Sequence, residues 1–148
     1  MPHYTAYDTR LASYAVILDE LDGRERILLA LWKDGARRQW TLPGGGVELH
    51  ERVEDGVVRE VREETGYDVV LGDLLGVDTY VLGPERRLNG SDRALKAVRV
   101  VYSATVVGGE LAHEVGGSTD EARWWPLDEL PGIDRVSIVD IGLRLLRG

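Results

Sequence analysis

"LPGGGVELHERVEDGVVREVREETGYDVV", running from Leu42 to Val70, is the stretch on which the fold turns. It opens on three glycines, Gly44, Gly45 and Gly46, and closes on a helix-like run crowded with glutamates. Glu51 to Thr65 is expected to form a helix that stops at Gly66, a residue that enters the left-handed region without penalty. Val53, Val57 and Val61 fall at i, i+4 and i+8 and make an apolar stripe for a core. Glu60 and Glu64 lie one turn apart, and Glu63 is the i+3 neighbour of Glu60, so three carboxylates project toward one patch of space. Gly56, one turn before Glu60 on that side, keeps the approach open and weakens the helix by roughly 1 kcal/mol relative to Ala.

The cluster is locally unfavourable twice over. Like charges at i, i+4 destabilise a helix by roughly 0.2–0.5 kcal/mol. Glu63 and Glu64 also occupy the last turn, where the helix dipole disfavours anions. The plain alternative is a solvated face stitched by ion pairs, with Arg59 reaching Glu63. A counter-cation accounts for both costs, and hard carboxylate oxygens suit Mg²⁺ or Mn²⁺. The glycines would let backbone groups approach a ligand closely, although a tight strand-to-helix turn would use them equally well.

The rest of the chain sets bounds on this reading. Its 148 residues suffice for one domain with a real core. A net charge of -8 repels phosphate backbones, which argues against long nucleic acid as a partner. A small anionic substrate would need local positive charge or a bound cation. There is no cysteine, which excludes disulfides and thiolate metal sites and fits a reducing compartment. With no apolar segment of signal-peptide or membrane-span type, the expected location is the cytoplasm, away from membranes. Leu11–Glu20 and Ile27–Trp32 read as a hairpin. Trp40–Pro43 is a short extended piece, and Asp68–Leu82 is two short strands or one bent at Gly72 and Gly76. Leu95–Val107 and Ala122–Leu127 are further strands. Asp128 is placed to cap a turn, and Ile133–Leu146 reads as a closing helix weakened by Gly142. Two long polar loops, Gly83–Ala94 and Gly108–Glu121, separate the later strands; loops of that length are often functional. Strands with one central and one terminal helix predict an α+β fold, a sheet sandwiched between helices in a single domain over residues 1–148.

The stretch resembles the Nudix box, G-x5-E-x7-R-E-U-x-E-E-x-G-U, with U a bulky apolar residue. Gly45, Glu51, Arg59, Glu60, Val61, Glu63, Glu64, Gly66 and Tyr67 fill it, the last position being aromatic rather than aliphatic, with its ring expected to do the same packing. Residue usage alone would produce the seven fixed positions on the order of once in 10⁵ such chains. "ASYAVIL…ILLALW", "WTLPGGG" and "ARWWPLDEL" extend the resemblance over most of the chain.

The resemblance implies a Nudix-type α-β-α sandwich around a mixed sheet. It implies a metal-dependent hydrolase of a small-molecule nucleoside diphosphate derivative, in which water attacks one phosphorus of the diphosphate bridge. The cofactor implied is Mg²⁺ or Mn²⁺. Glu60, Glu63 and Glu64 are the implied metal ligands, with the Gly45 carbonyl as a further one. Glu51 is the glutamate that supports the site, and Arg59 the arginine that fixes carboxylate orientation. For the general base two positions stay open: a box glutamate, Glu60 or Glu63, which is favoured, or Glu114 on the late loop. Asp120 and Glu121 are on that loop too, and Ser118 stands where relatives carry a late-loop glutamate. Arg37, Arg38, Arg86, Arg87 and Arg99 are candidate phosphate clamps. The loop around Arg86 and Arg87 is preferred as a substrate wall, with Trp40 and Glu114 as further candidate contacts. His50 is a candidate helix cap, and His113 is given no role. A homodimer stays open. The rival reading is a nucleotide- or sugar-phosphate-binding sensor that has lost catalysis; such domains usually lose box glutamates, and all are kept here.

Overall fold

The computed structural model of the protein describes residues 2–34, 37–117 and 119–148. Strand β1 (Asp8–Leu21) turns into β2 (Arg24–Asp34) through the pair Asp22-Gly23. Both turn residues have positive φ, 53° and 78°, the backbone that a two-residue hairpin matching the strand twist requires. β3 (Arg37–Thr41) pairs antiparallel with β2. β4 is only Gly44–Gly46 and pairs antiparallel with β1. Helix α1 (Val53–Thr65) leads to β5 (Tyr67–Leu82), β6 (Leu95–Gly109), β7 (Thr119–Pro126) and helix α2 (Ser137–Arg147).

All seven strands join one sheet, ordered β3-β2-β1-β6-β5, with β4 attached to β1 and β7 to β2. β1 runs parallel to β6 and the other pairs are antiparallel, so the sheet is mixed as expected. Adjacent residues of β1 feed opposite cores. Ala15 and Ile17 pack with Val57, Val61 and Leu28 under α1; Val16 packs with Leu29, Val101, Ile138 and Val139 under α2. Burial on both faces explains why β1 and β2 read as near-continuous apolar runs rather than as alternating ones.

Trp124 and Trp125 follow the same alternation. Trp124 joins the α1 side and donates through Nε1 to the Tyr67 hydroxyl at 3.1 Å, so the aromatic last position of the box does pack inward. Trp125 lies on the α2 side, edge-on to Trp40 at 5.2 Å between ring centroids.

β5 is one strand, the bent alternative of the two expected: its irregularity lies between Leu71, Leu74 and Gly76, where the Ser103 hydroxyl accepts from the displaced Asp73 N–H at 2.8 Å. Two local expectations are corrected. The terminal helix begins at Ser137 rather than Ile133, because the preceding residues pair with β3: Trp40 N–H donates to Asp134 O, and Val136 N–H to Trp40 O. Asp128 caps nothing; it lies inside a 3₁₀ turn, Leu127–Gly132, and binds Arg24 at 2.6 Å. Among the described residues no helix is long and apolar enough to cross a membrane.

Candidate active site

α1 brings the box together. The helix ends at Gly66, φ 81°, whose N–H donates to Arg62 O at 3.0 Å. The valine stripe fixes the rotation of the helix about its axis. With Val57 and Val61 fully buried, Glu64, three residues after Val61, is carried inward to 2% exposure. Its carboxylate meets the glycine strand, where Gly44 N–H points to Oε2 at 3.5 Å. Glu60, one turn earlier, has its side chain 17% exposed and faces Glu64. A Cβ on Gly45 would come within 2.9 Å of Glu60 Oε1, so a bare backbone here leaves room for the carboxylate. Burial, above all, lifts the Glu64 carboxyl well above the ordinary range, and the neighbouring Glu60 adds to it. Burial raises Glu60 as well. Two carboxyls sharing one buried site either share a proton or recruit a cation.

Arg59 organises the other side. It grips Glu51 with two bonds, Nε to Oε2 at 2.7 Å and Nη2 to Oε1 at 2.9 Å, the strong bidentate form. Its Nη1 reaches Glu60 Oε1 and Glu63 Oε2, both at 3.2 Å, and Nη2 reaches Gly46 O at 3.2 Å. The Arg59 guanidinium, helped by Glu48 N–H, holds the Glu51 carboxyl down to about 2. The Arg59 pKa is raised in turn, chiefly by Glu51. Gly56 has a purpose the sequence did not reveal: a Cβ there would press on Glu51 Oε1 at 3.0 Å.

The three glutamates are not equivalent. Glu63 is half-exposed and tied to Arg59, while Glu60 and Glu64 face each other. Among the described residues no three acidic or histidine side chains converge on one point. The i, i+3, i+4 geometry places all three on one side of the helix, but the i+4 bond to Arg59 draws Glu63 away.

Glu60, Glu64 and the glycine strand open on a cleft of about 1230 Å³, whose walls also include Arg10, Arg87, Tyr80 and Arg99. Arg87 lines it, but its guanidinium is committed to Asp8 Oδ2 (2.8 Å), Ser91 Oγ (3.1 Å) and Arg93 O (2.9 Å), which pin the 83–94 loop to the start of β1. Arg86 is exposed on a 3₁₀ turn and does not line the cleft. Nor does Trp40, which packs in the α2-side core beside Trp125. Arg99 is 6% exposed and bound to Asp78, and Arg38 is bound to Asp120. Glu114 accepts from Thr119 Oγ1 at 2.7 Å, and its charge bears on Glu64. Ser118 lies outside the described residues. His113 Nδ1 accepts from Ala122 N–H at 3.3 Å, a bond that ties the loop to β7. His50 is exposed, and α1 has no side-chain cap. Arg10 and Tyr80 were not singled out in the sequence; each falls at the margin of a strand pattern, where nothing local distinguishes it from a surface residue.

The architecture is a mixed sheet between two helices, with an acidic helix end behind a glycine strand. Residues 9–141 match the NUDIX domain, and the chain belongs to that family. It is 39% identical over 111 residues to an ADP-ribose pyrophosphatase of Methanocaldococcus jannaschii, covering 74% of this chain and 60% of that protein. A MutT NUDIX hydrolase from Burkholderia pseudomallei superposes with a TM-score of 0.70 at 30% identity, covering 94% of this chain and 98% of the other. A NUDIX hydrolase from Nitrosomonas europaea shares the fold with a TM-score of 0.73 at 24% identity, over 95% and 89% of the two chains. The chain also matches a human 8-oxo-dGDP phosphatase at 32% identity, spanning 79% of this chain and 32% of that protein. It thus spans less than two thirds of the length of these curated relatives.

Proposed function

We propose that the chain hydrolyses a phosphoanhydride bond in a nucleoside diphosphate derivative, with Mg²⁺ or Mn²⁺ held by Glu60 and Glu64. Glu63 and the Gly45 carbonyl are further ligands, and Glu51 and Arg59 are the brace. The observation that carries this reading is the buried Glu60–Glu64 pair: two carboxyls, one of them 2% exposed, face each other beside a strand without side chains. The donor set fits a hard divalent cation, since it offers oxygen only. When bound, such a cation neutralises phosphate charge and acidifies water. The residues of the chain do the rest. Arg59 fixes the orientation of Glu51, Glu60 and Glu63, and the cleft holds the substrate against the glycine strand. A box glutamate, Glu60 or Glu63, takes the proton of the attacking water, with Glu114 assisting. The similarity to an ADP-ribose pyrophosphatase supports a nucleoside diphosphate joined to a second group as substrate. The absence of cysteine supports a cytoplasmic setting.

The test is a panel of nucleoside triphosphates, oxidised nucleotides, ADP-ribose, dinucleoside polyphosphates and nucleotide sugars, incubated with the protein and Mg²⁺ and assayed for phosphate-containing products. At least one is expected to turn over, and turnover is expected to stop in excess EDTA. Turnover that persists in EDTA, or binding of a nucleotide with no product from any member, overturns the reading.

A further inference from the structure

We propose that Arg10 is the phosphate anchor of the cleft, binding the substrate phosphate next to the one held at the Glu60–Glu64 site; the inference rests on the reading of that site as a cation site. Three arginines line the cleft, Arg10, Arg87 and Arg99. Two are already bound to carboxylates. Arg87 is paired with Asp8, and Arg99 is paired with Asp78 through Nε at 3.0 Å and Nη2 at 2.5 Å, with the Tyr80 ring beneath it at 4.7 Å. Arg10 is exposed and, among the described residues, makes no ion pair and no side-chain hydrogen bond.

Its position follows from strand register. Arg10, Ala12 and Tyr14 share one face of β1, while Ser13 points to the other, where its hydroxyl donates to Val53 O on α1 at 3.2 Å. β4 runs beside this segment, with Ala12 opposite Gly46 and Ser13 opposite Gly45. The two faces of the glycine strand therefore meet different groups. A Cβ on Gly45 would press on Glu60 Oε1 at 2.9 Å. A Cβ on Gly46 would meet a single neighbour within 4 Å, Arg10 Nη2 at 3.7 Å. A carboxylate and a guanidinium thus flank consecutive glycines, whose Cα atoms are about 3.8 Å apart. Among the described residues β4 pairs with no strand but β1, and its remaining backbone groups meet the site: Gly44 N–H points to Glu64 Oε2 at 3.5 Å, and Gly46 O accepts from Arg59 Nη2 at 3.2 Å.

Charge points the same way. Arg87 shares Asp8 with Arg93, and Arg99 is held by Asp78, which leaves Arg10 as the cleft arginine that no carboxylate engages among the described residues. A divalent cation offsets the two carboxylates, and the guanidinium of Arg10 is then available to a phosphate. Its planar fork matches phosphate oxygens with two parallel bonds, where an ammonium offers only a point charge. The cleft therefore selects ligands carrying two adjacent phosphates over those carrying one.

Calorimetry with Mg²⁺ and either inorganic pyrophosphate or orthophosphate tests this without turnover. Arg10→Ala is expected to weaken pyrophosphate binding about tenfold or more, as loss of a charged hydrogen bond does, and to leave orthophosphate binding nearly unchanged. Arg10→Lys is expected to be intermediate. Arg144→Ala on α2, outside the cleft, is expected to match wild type, and all three are expected to keep the wild-type Tm. With a hydrolysed substrate, Arg10→Ala is expected to raise KM more than it lowers kcat. Three outcomes overturn the anchor: Arg10→Ala binding pyrophosphate within twofold of wild type, equal losses for both anions, or wild-type protein that does not bind pyrophosphate. If Arg10 governs pyrophosphate binding while no substrate is hydrolysed, the anchor stands and the hydrolase reading falls; metal-dependent hydrolysis with unaltered Arg10→Ala affinity gives the reverse.

Discussion

Glu51 and Glu64 are carboxylates of one motif, both largely withdrawn from water, and they have been driven in opposite directions. Glu51 receives two bonds from Arg59 and one from Glu48 N–H, and its pKa falls to about 2. Glu64 has a distant backbone N–H and the like-charged Glu60, and its pKa rises well above the usual range. Burial without a cationic partner is what separates them. The first is a finished structural contact. The second is a buried carboxyl whose neighbours do not offset its charge, and carboxyls so perturbed cluster where proteins bind and react.

The sharpest way to break the comparison is Glu64→Gln. It removes a buried charge of the site, so activity is expected to fall by about 10²-fold or more, in keeping with several kcal/mol of metal-dependent stabilisation. Its Tm is expected to equal or exceed that of wild type, because the repulsion with Glu60 is gone. Saturating Mg²⁺ is expected to raise the wild-type Tm and not that of Glu64→Gln, since a ligand confined to the folded state stabilises it. Thermal melts with and without Mg²⁺ read this directly, and a normal Mg²⁺ response in the variant would contradict it.

Glu51→Gln is expected to do less to rate and more to stability. Loss of a group that orients metal ligands typically costs about 10- to 100-fold, and here Tm falls as well. The two carboxylates also part company in acid. The folded pKa of Glu51 is depressed, so the unfolded chain takes up its proton first as pH falls. The stability contributed by Arg59 is therefore complete above the unfolded value of 4.5 and is lost as pH drops toward about 2. Melts between pH 6 and 2 are expected to show a shallower decline for Glu51→Gln than for wild type; parallel declines would rule this out.

Glu114→Gln is expected to give the smallest effect, a decrease in kcat of about tenfold or less. Loss of a general base costs about 10²–10⁴, so a several-hundredfold decrease with unchanged folding and Mg²⁺ affinity would move the base to the late loop.

The comparison also marks what could be read in the residues. The valine stripe, the Gly66 stop and the hairpin are local, and periodicity displayed them. The unequal fates of Glu60, Glu63 and Glu64 were not visible, because they depend on which of the nearby carboxylates Arg59 engages once Glu51 is folded back onto it. The loop around Arg87 does line the cleft, but the ion pair that engages Arg87 and the core position of Trp40 escape a sequence reading for a related reason. The partner of Arg87, Asp8, lies 79 residues away. The place of Trp40 is set by the segment before α2, which pairs with β3 instead of starting the helix. Residue type suggested substrate contacts, and long-range pairing put both side chains to structural use.

Gly142 has a consequence for anyone seeking a sturdier variant of this protein. Replacing a glycine inside a helix with alanine ordinarily gains about 1 kcal/mol. Here the added methyl would meet Leu42 Cδ1 and Val16 Cγ2, each at 2.9 Å. Leu42 is fully buried and stands two residues before Gly44, whose N–H points to Glu64. The last helix is thus seated against the strand entry that carries the glycines, and its seat works as a spacer gauge for the Glu60–Glu64 end of the molecule. A routine stabilising substitution at this position would be transmitted through one leucine to the site 78 residues earlier in the chain.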